Sequence, residues 1–290
     1  MAFKQGIFDA PAVELAPCGL LSVARVKTWN KNDEKWLRGY QYEVQSTPAV
    51  EIVNKTGATV TGGTVSTGSD TDFYNGEGFY ISVEKTLSGM GILGYDPIEE
   101  TTEELLAASQ KAAEYELWEG VSLLASTSDG PFLRKQSGAT LVTSGGTTAA
   151  LALRALEQSI SLSPIGARGT IHMTRDVASE LGNRLMYKGD GDSATNDRAI
   201  TRLGTRVVIG SGYTGNGPIA ATGAAASATN KWMFATGGIS VHLGAIQVVS
   251  DVSAAFNTSV NDAHILLQRS AAVHFDPSIW YAAQVTLPTS

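Results

Sequence analysis

Three glycines, Gly210, Gly212 and Gly215, form the pattern GxGxxG directly after an apolar run, GTRVVI at residues 204 to 209. In a dinucleotide-binding unit such glycines let the backbone meet a pyrophosphate at a helix start, and an acidic residue about twenty positions later holds the ribose. Here no Asp or Glu stands between Asp197 and Asp251, and the following residues contain Pro218 and no amphipathic period. The pattern is expected to be a glycine-rich turn, with cofactor binding as the lesser alternative. The histidines, His172, His242, His264 and His274, include no i, i+4 pair of the kind a helical zinc site needs. His172 and His274 alternate with apolar neighbours, so they are expected to be packed or interfacial. Asp190, Gly191 and Asp192 begin like a calcium loop, but Ala194, Thr195 and Thr201 occupy its fifth, sixth and twelfth positions. No GxSxG elbow, Walker loop or HExxH is present. Glu99, Glu100, Glu103 and Glu104 cluster at a helix start, where carboxylates suit the dipole. The expectation is a protein without catalytic, cofactor-binding or metal-binding residues, and so without a cofactor.

The element that organises the chain is a helix over residues 97 to 124. Pro97 suits a first helical position, and Thr101 with Glu104 has capping-box spacing. Leu106, Ala113, Leu117, Val121 and Leu124 form one apolar stripe, with Ala108, Ala112 and Tyr115 beside it. Glu103, Gln110, Lys111, Glu114 and Glu119 define the opposite, polar face, and Gly120 is expected to end or loosen the helix.

With 290 residues the chain can bury a sizeable core. Only 17% of its residues are charged, against about a quarter in an ordinary soluble domain. Surface hidden against copies of the same chain would account for the difference. A net charge of −7 without a run of Lys or Arg argues against a reader of nucleic acid. Cys18 is the single cysteine, which excludes a disulfide framework. No apolar run is long enough to span a bilayer, and the first residues lack a continuous hydrophobic signal segment.

Residues 1 to 35 carry large apolar side chains without a period and read as an extended arm. Residues 36 to 90 alternate at Tyr40, Tyr42 and Val44, and again at Phe79, Ile81 and Val83, around a Gly, Ser and Thr-rich middle. That predicts a long hairpin with a soft tip, which needs another surface to lie on. Beyond the long helix come a helix at 147 to 161, a strand GTIHM at 169 to 173, a helix at 175 to 187 and a strand at 204 to 209. After a weakly structured small-residue segment at 210 to 230, strands return at 232 to 249. A strand pair, or one strand bent at Asp276 and Pro277, closes the chain at 263 to 288.

The order of these parts resembles the major capsid proteins of tailed double-stranded-DNA bacteriophages of the Hong Kong 97 type. Four stretches carry the likeness: the arm and hairpin, the helix 97 to 119, ALALRALEQSIS leading to GTIHMTRDVASELGNRL, and AHILLQRSAAVHFDPSIWYAAQV. The resemblance implies an α+β capsid fold with an N-terminal arm at 1–35, an E-loop hairpin at 36–90 and a peripheral domain at 91–163 with its spine helix. An axial domain at 164–252 and a return to the peripheral domain at 253–290 complete it. It also implies a structural protein that is not an enzyme and assembles with itself into the hexamers and pentamers of an icosahedral head around double-stranded DNA. Portal, scaffolding or decoration proteins would be its other partners, and no membrane is involved. Its place would be the virion, after assembly in the host bacterial cytoplasm. The chain begins almost at once with the arm, so scaffolding is expected to be separate or absent. Some relatives crosslink a loop lysine to a partner asparagine; Lys55 and Lys85 lie in the hairpin region, but no acceptor or catalytic acid is identifiable and that chemistry is not carried over. An encapsulin-type bacterial nanocompartment shell is the alternative in the same fold. Deleting residues 56 to 76 is expected to leave a folded subunit that forms no stable shell.

Overall fold

Strand formation is densest where apolar residues run without interruption, because there both faces of a sheet are covered. The computed structural model describes residues 16–30, 35–43, 50–53, 59–66, 73–88, 97–121, 130–136, 138–143, 145–163, 169–188, 198–219, 221–249, 256–257 and 262–288. Most of the expected arm, the hairpin tip with Lys55, and the loop with Asp190 and Asp192 lie outside these residues.

A seven-stranded sheet has the order β7-β17-β12-β8-β11-β10-β9. Its strands are β7 (Thr140–Leu141), β8 (Thr170–Thr174), β9 (Leu185–Lys188), β10 (Arg198–Thr201), β11 (Arg206–Gly210), β12 (Asn230–Thr236) and β17 (Trp280–Thr286). Successive side chains point to opposite faces. Val207, Ile209, Met233, Ala235, Ala283 and Val285 pack in the cluster that holds helices α2 (Ala149–Ser161) and α3 (Arg175–Leu181). Val208, Trp232, Phe234 and Ala282 pack in the other cluster, with helix α1 (Pro97–Glu119).

A second, six-stranded sheet is built on β16 (Asp262–Phe275), which pairs with β6 (Phe79–Ser88), β13 (Ile239–Leu243), β14 (Gln247–Val248) and β15 (Phe256–Asn257). β1 (Arg25–Thr28) joins it in parallel with β13. Ile265, Leu267, Val273 and Phe275 face the α1 cluster. Two smaller pairs form sheets of their own: β2 (Tyr40–Glu43) with β5 (Phe73–Gly76), and β3 (Val50–Val53) with β4 (Thr59–Ser66). They lie within the region expected as one long hairpin, but its expected returning strand, with Phe79, Ile81 and Val83, is β6 and pairs with β16 rather than with β2. Among the described residues neither pair meets a third strand.

One antiparallel ribbon threads both sheets: β12 pairs with β17, and β13 with β16. It bends at Gly237 and Gly238 on one strand and at Asp276 to Ile279 on the other. Gly237 N–H donates to the carbonyls of Asp276 and Ile279, both at 3.1 Å, and Asp276 N–H to that of Gly238 at 2.8 Å. The bend falls at the expected aspartate-proline break. The ribbon thereby crosses from one sheet to the other. β13 lies in the six-stranded sheet with α1, β17 in the seven-stranded sheet, and α2 packs on the latter.

One helix meets its expected stop and one does not. α1 ends at Glu119, where Gly120 takes a φ of 64°, a left-handed conformation that costs other residues roughly 1–2 kcal/mol. The helix expected at 175–187 stops at Leu181, a short 3-10 turn follows, and Leu185 opens β9. Its four-residue spacing of Val177, Leu181 and Leu185 held because all three still enter one core cluster, Leu185 from a strand.

Candidate functional site

α1 is turned differently from its hydropathy stripe. Leu106, Tyr115 and Val121, expected inward, are 42%, 45% and 49% exposed, whereas Glu114 is fully buried and Gln110, Glu116 and Glu119 nearly so. Ala113 and Leu117 of the expected stripe do enter the core, joined there by Leu105 and Trp118. A buried carboxylate is tolerated only with hydrogen-bond donors around it, and Glu114 has them. Its Oε1 accepts the Leu20 N–H at 2.9 Å, and its Oε2 accepts the Gly212 N–H at 2.8 Å and the Ser211 hydroxyl at 3.1 Å. Burial pushes the Glu114 carboxyl up, and these donors oppose that rise.

The middle glycine of the GxGxxG pattern meets α1. Gly212 turns its N–H to a carboxylate of the same chain, and the described residues from 211 to 229 form turns rather than a helix. The place a phosphate would take is filled by Glu114. Gly212 also lies against α1 so closely that a Cβ there would collide with the Lys111 carbonyl oxygen and stand 3.0 Å from the Tyr115 nitrogen. Helix backbone cannot yield. Gly212→Ala is therefore expected to cost about 3 kcal/mol, read as a lower denaturation midpoint; an unchanged midpoint would show that this loop is not seated on α1.

Farther along, Glu119 accepts hydrogen bonds from Arg134, Thr214 and Asn216, the last at 3.0 Å. Burial raises its pKa, but the bonds from Thr214, Arg134 and Asn216, with the Arg134 charge, more than offset this and hold the carboxyl below its usual range. Trp118 Nε1 donates to the Asn216 carbonyl at 2.9 Å. The small-residue segment is thus pinned to the spine helix by its polar side.

His172 is fully buried in β8. Tyr213 Oη is 2.7 Å from its Nδ1, and its Nε2 is 2.9 Å from Thr236 Oγ1, whose hydroxyl donates to the Gly237 carbonyl. With that hydroxyl hydrogen committed, His172 donates from Nε2 and Nδ1 accepts from Tyr213, so the ring is neutral. Burial alone lowers its pKa to about 3. The chain of hydroxyl, imidazole and hydroxyl resembles a proton relay, yet nothing reaches it from solvent, and it acts as a packed polar joint.

A second cluster lies on the opposite face of the six-stranded sheet. His242 of β13 and His274 of β16 stack with centroids 5.3 Å apart, and Tyr42 stacks on His274 at 4.2 Å. Trp29 Nε1 donates to His242 Nδ1 at 2.9 Å, Tyr40 Oη lies 3.2 Å from His274 Nδ1, and Tyr42 Oη donates to the Phe275 carbonyl at 3.2 Å. An indole N–H only donates, so His242 Nδ1 must be unprotonated. Burial, then the neighbouring His242, lower His274 to about 4; burial, then Lys27 and Arg25, lower His242. These groups fasten the base of the hairpin and the Trp29 segment to the main sheet.

The expectation for His172 and His274 as packed residues agrees with these positions. His242 had no assigned role, and its only signal was alternation in ISVHL. Lys85 is ion-paired with Glu104 at 2.9 Å, joining β6 to α1. Among the described residues, no three His, Cys, Asp or Glu side chains converge as a metal ion would require, and no helix is long and apolar enough to cross a membrane.

No family model matches the chain, and no curated protein matches it in sequence. Solved structures do. The capsid of an empty GTA particle superposes with a TM-score of 0.60 at 12% identity, over 99% of this chain and 96% of that one. The mycobacterium phage Adephagia structure gives 0.54 at 14% identity, over 99% and 96%. The holo-SrpI encapsulin complex from Synechococcus elongatus gives 0.53 at 10% identity, over 100% and 98%. At such identities the likeness is one of fold. The chain has the α+β Hong Kong 97 type fold that phage capsid and encapsulin subunits share, as its order of elements implied.

Proposed function

We propose that this chain is the major capsid protein of a tailed double-stranded-DNA bacteriophage, a structural subunit without enzymatic activity. It assembles with itself into hexamers and pentamers that close into the icosahedral head shell of the virion, inside the host bacterial cytoplasm. The observation that carries this reading is the hairpin. Its base, 40–43 with 73–76, is seated on the subunit's own sheet, but its outer pair, 50–53 with 59–66, has no third strand among the described residues. A lone pair of strands is marginal in water and leaves its edges open. A neighbouring copy that lies beneath it supplies what the single subunit lacks, and a heterologous contact repeated around an axis closes a ring. The apolar residues left exposed on α1 and just past its end, Leu106, Tyr115 and Val121, fit the same need for cover.

In this assignment residues 1–35 are the arm, 36–90 the E-loop and 91–163 the peripheral domain. Residues 164–252 form the axial domain, and the chain returns to the peripheral domain from 253. Portal, scaffolding or decoration proteins are its further partners. The low positive charge suits a container that holds DNA without gripping it. An encapsulin-type compartment is the second reading, favoured by the comparable superposition on the encapsulin subunit. Electron microscopy of particles from the expressed gene, followed by analysis of their contents, tests both. Nuclease-protected duplex DNA supports the phage head, an enclosed cargo protein the nanocompartment, and a chain that stays monomeric defeats both.

A further inference from the structure

Seven of the chain's eleven arginines lie between residues 154 and 206, although the net charge of the whole is −7. The fold gathers four of them, Arg154, Arg184, Arg202 and Arg206, around an open groove of about 1290 Å³. It lies between α2, the turn after α3 and the hairpin of β10 and β11. All four side chains are exposed, and among the described residues none is ion-paired with a carboxylate. Glu157 is the one described carboxylate in the lining, and it is already engaged, accepting from the hydroxyls of Thr201 and Thr205. Leu203, 80% exposed, stands at the rim.

We propose that this groove is a docking site for an acidic surface of a second copy of this chain, so that it sets contacts between neighbouring subunits. Arginine beside exposed leucine is the chemistry of a protein interface, where Arg is enriched. A phosphate backbone would leave Leu203 uncovered. The negative partner is at hand, because outside residues 149–210 the chain carries more than its entire net charge of −7. Guanidinium groups that meet no carboxylate among the described residues on one copy, and surplus carboxylates on the next, attract each other and fix register.

This inference rests on the self-assembling reading, and its test separates the two. The charge reversal Arg154→Glu with Arg184→Glu is compared with Lys188→Glu and Arg198→Glu, an exposed pair opposite each other on β9 and β10 and outside the groove lining. Self-association is followed by sedimentation, shells by microscopy, and duplex DNA binding by mobility shift. The groove variant should melt with the wild type but need at least about tenfold more protein to associate, as for loss of a charged interface contact. The control should associate normally, and added salt should weaken the wild type. Equal association of groove variant and wild type, equal loss in the control, or a change in DNA binding alone would each overturn the proposal. A wild type that associates through the groove but builds no shell would leave the groove standing and remove the capsid reading. A wild type that stays monomeric removes both.

Discussion

Replacing residues 44–72 with an Asn-Gly turn should give a soluble subunit that folds like the full chain and forms no shell. Glu43 pairs with Phe73 in the β2–β5 ribbon, so a two-residue connection there continues the antiparallel register. This cut improves on deleting 56–76, which would remove β5 and expose β2. The base of the hairpin keeps its anchors: Tyr42 stacked on His274, Tyr40 beside His274 Nδ1, and the long β6–β16 ladder from Phe79 to Ser88. The outer strands β3 and β4 pair only with each other among the described residues, so their removal breaks no described strand pairing with the core. The thermal midpoint should shift by no more than a few degrees, while the particle peak in sedimentation disappears. Normal shells from this variant would end the role given to the hairpin. An unfolded product would show instead that the hairpin supports the subunit's own core.

Much of this arrangement was legible in the residues. Pro97, the acidic first turn and Gly120 mark both ends of α1, and the alternation around His172 and His274 marks strands. The side on which α1 rests was not. A hydropathy period places every glutamate outward, but Glu114 satisfies donors that arrive from 94 and 98 residues away in sequence. Pattern within a helix cannot contain partners of that kind. The same holds for the ribbon through both sheets, whose strands are consecutive in pairs yet bonded across, and for the arginine groove, whose members come from three separate elements. Gly182, by contrast, was a visible stop signal inside the helix expected at 175–187.

Acid should destabilise the unassembled subunit steeply between pH 7 and pH 5. His172 and His274 have folded-state pKa values of about 3 and about 4, whereas an unfolded chain returns each to about 6.5. In the intervening window the unfolded state binds more protons, so stability rises with pH. The contribution is complete above about pH 6.5 and is lost as the pH falls toward the folded values. Each histidine should cost about 2 kcal/mol on going from pH 7 to pH 5. His242, lowered by burial and by Lys27 and Arg25, adds to this loss. Glu114, raised by burial, works against it, because the folded state gains that proton first. Glu119 and Asp176 are held low and enter only in stronger acid. Around the stacked pair stand Tyr40 and Tyr42 of β2, Lys27 and Arg25 of β1, and Asp276 at the bend, with Glu116 of α1 acting on Tyr40. Burial first, then the two cations, oppose a positive charge on His242. Urea midpoints at the two pH values measure the effect, and His274→Gln, which cannot titrate, should flatten the slope by close to one proton. Coincident midpoints at pH 7 and pH 5 would mean that these imidazoles are not held neutral, and that the joints they form at the hairpin base and beneath Tyr213 are not the ones described.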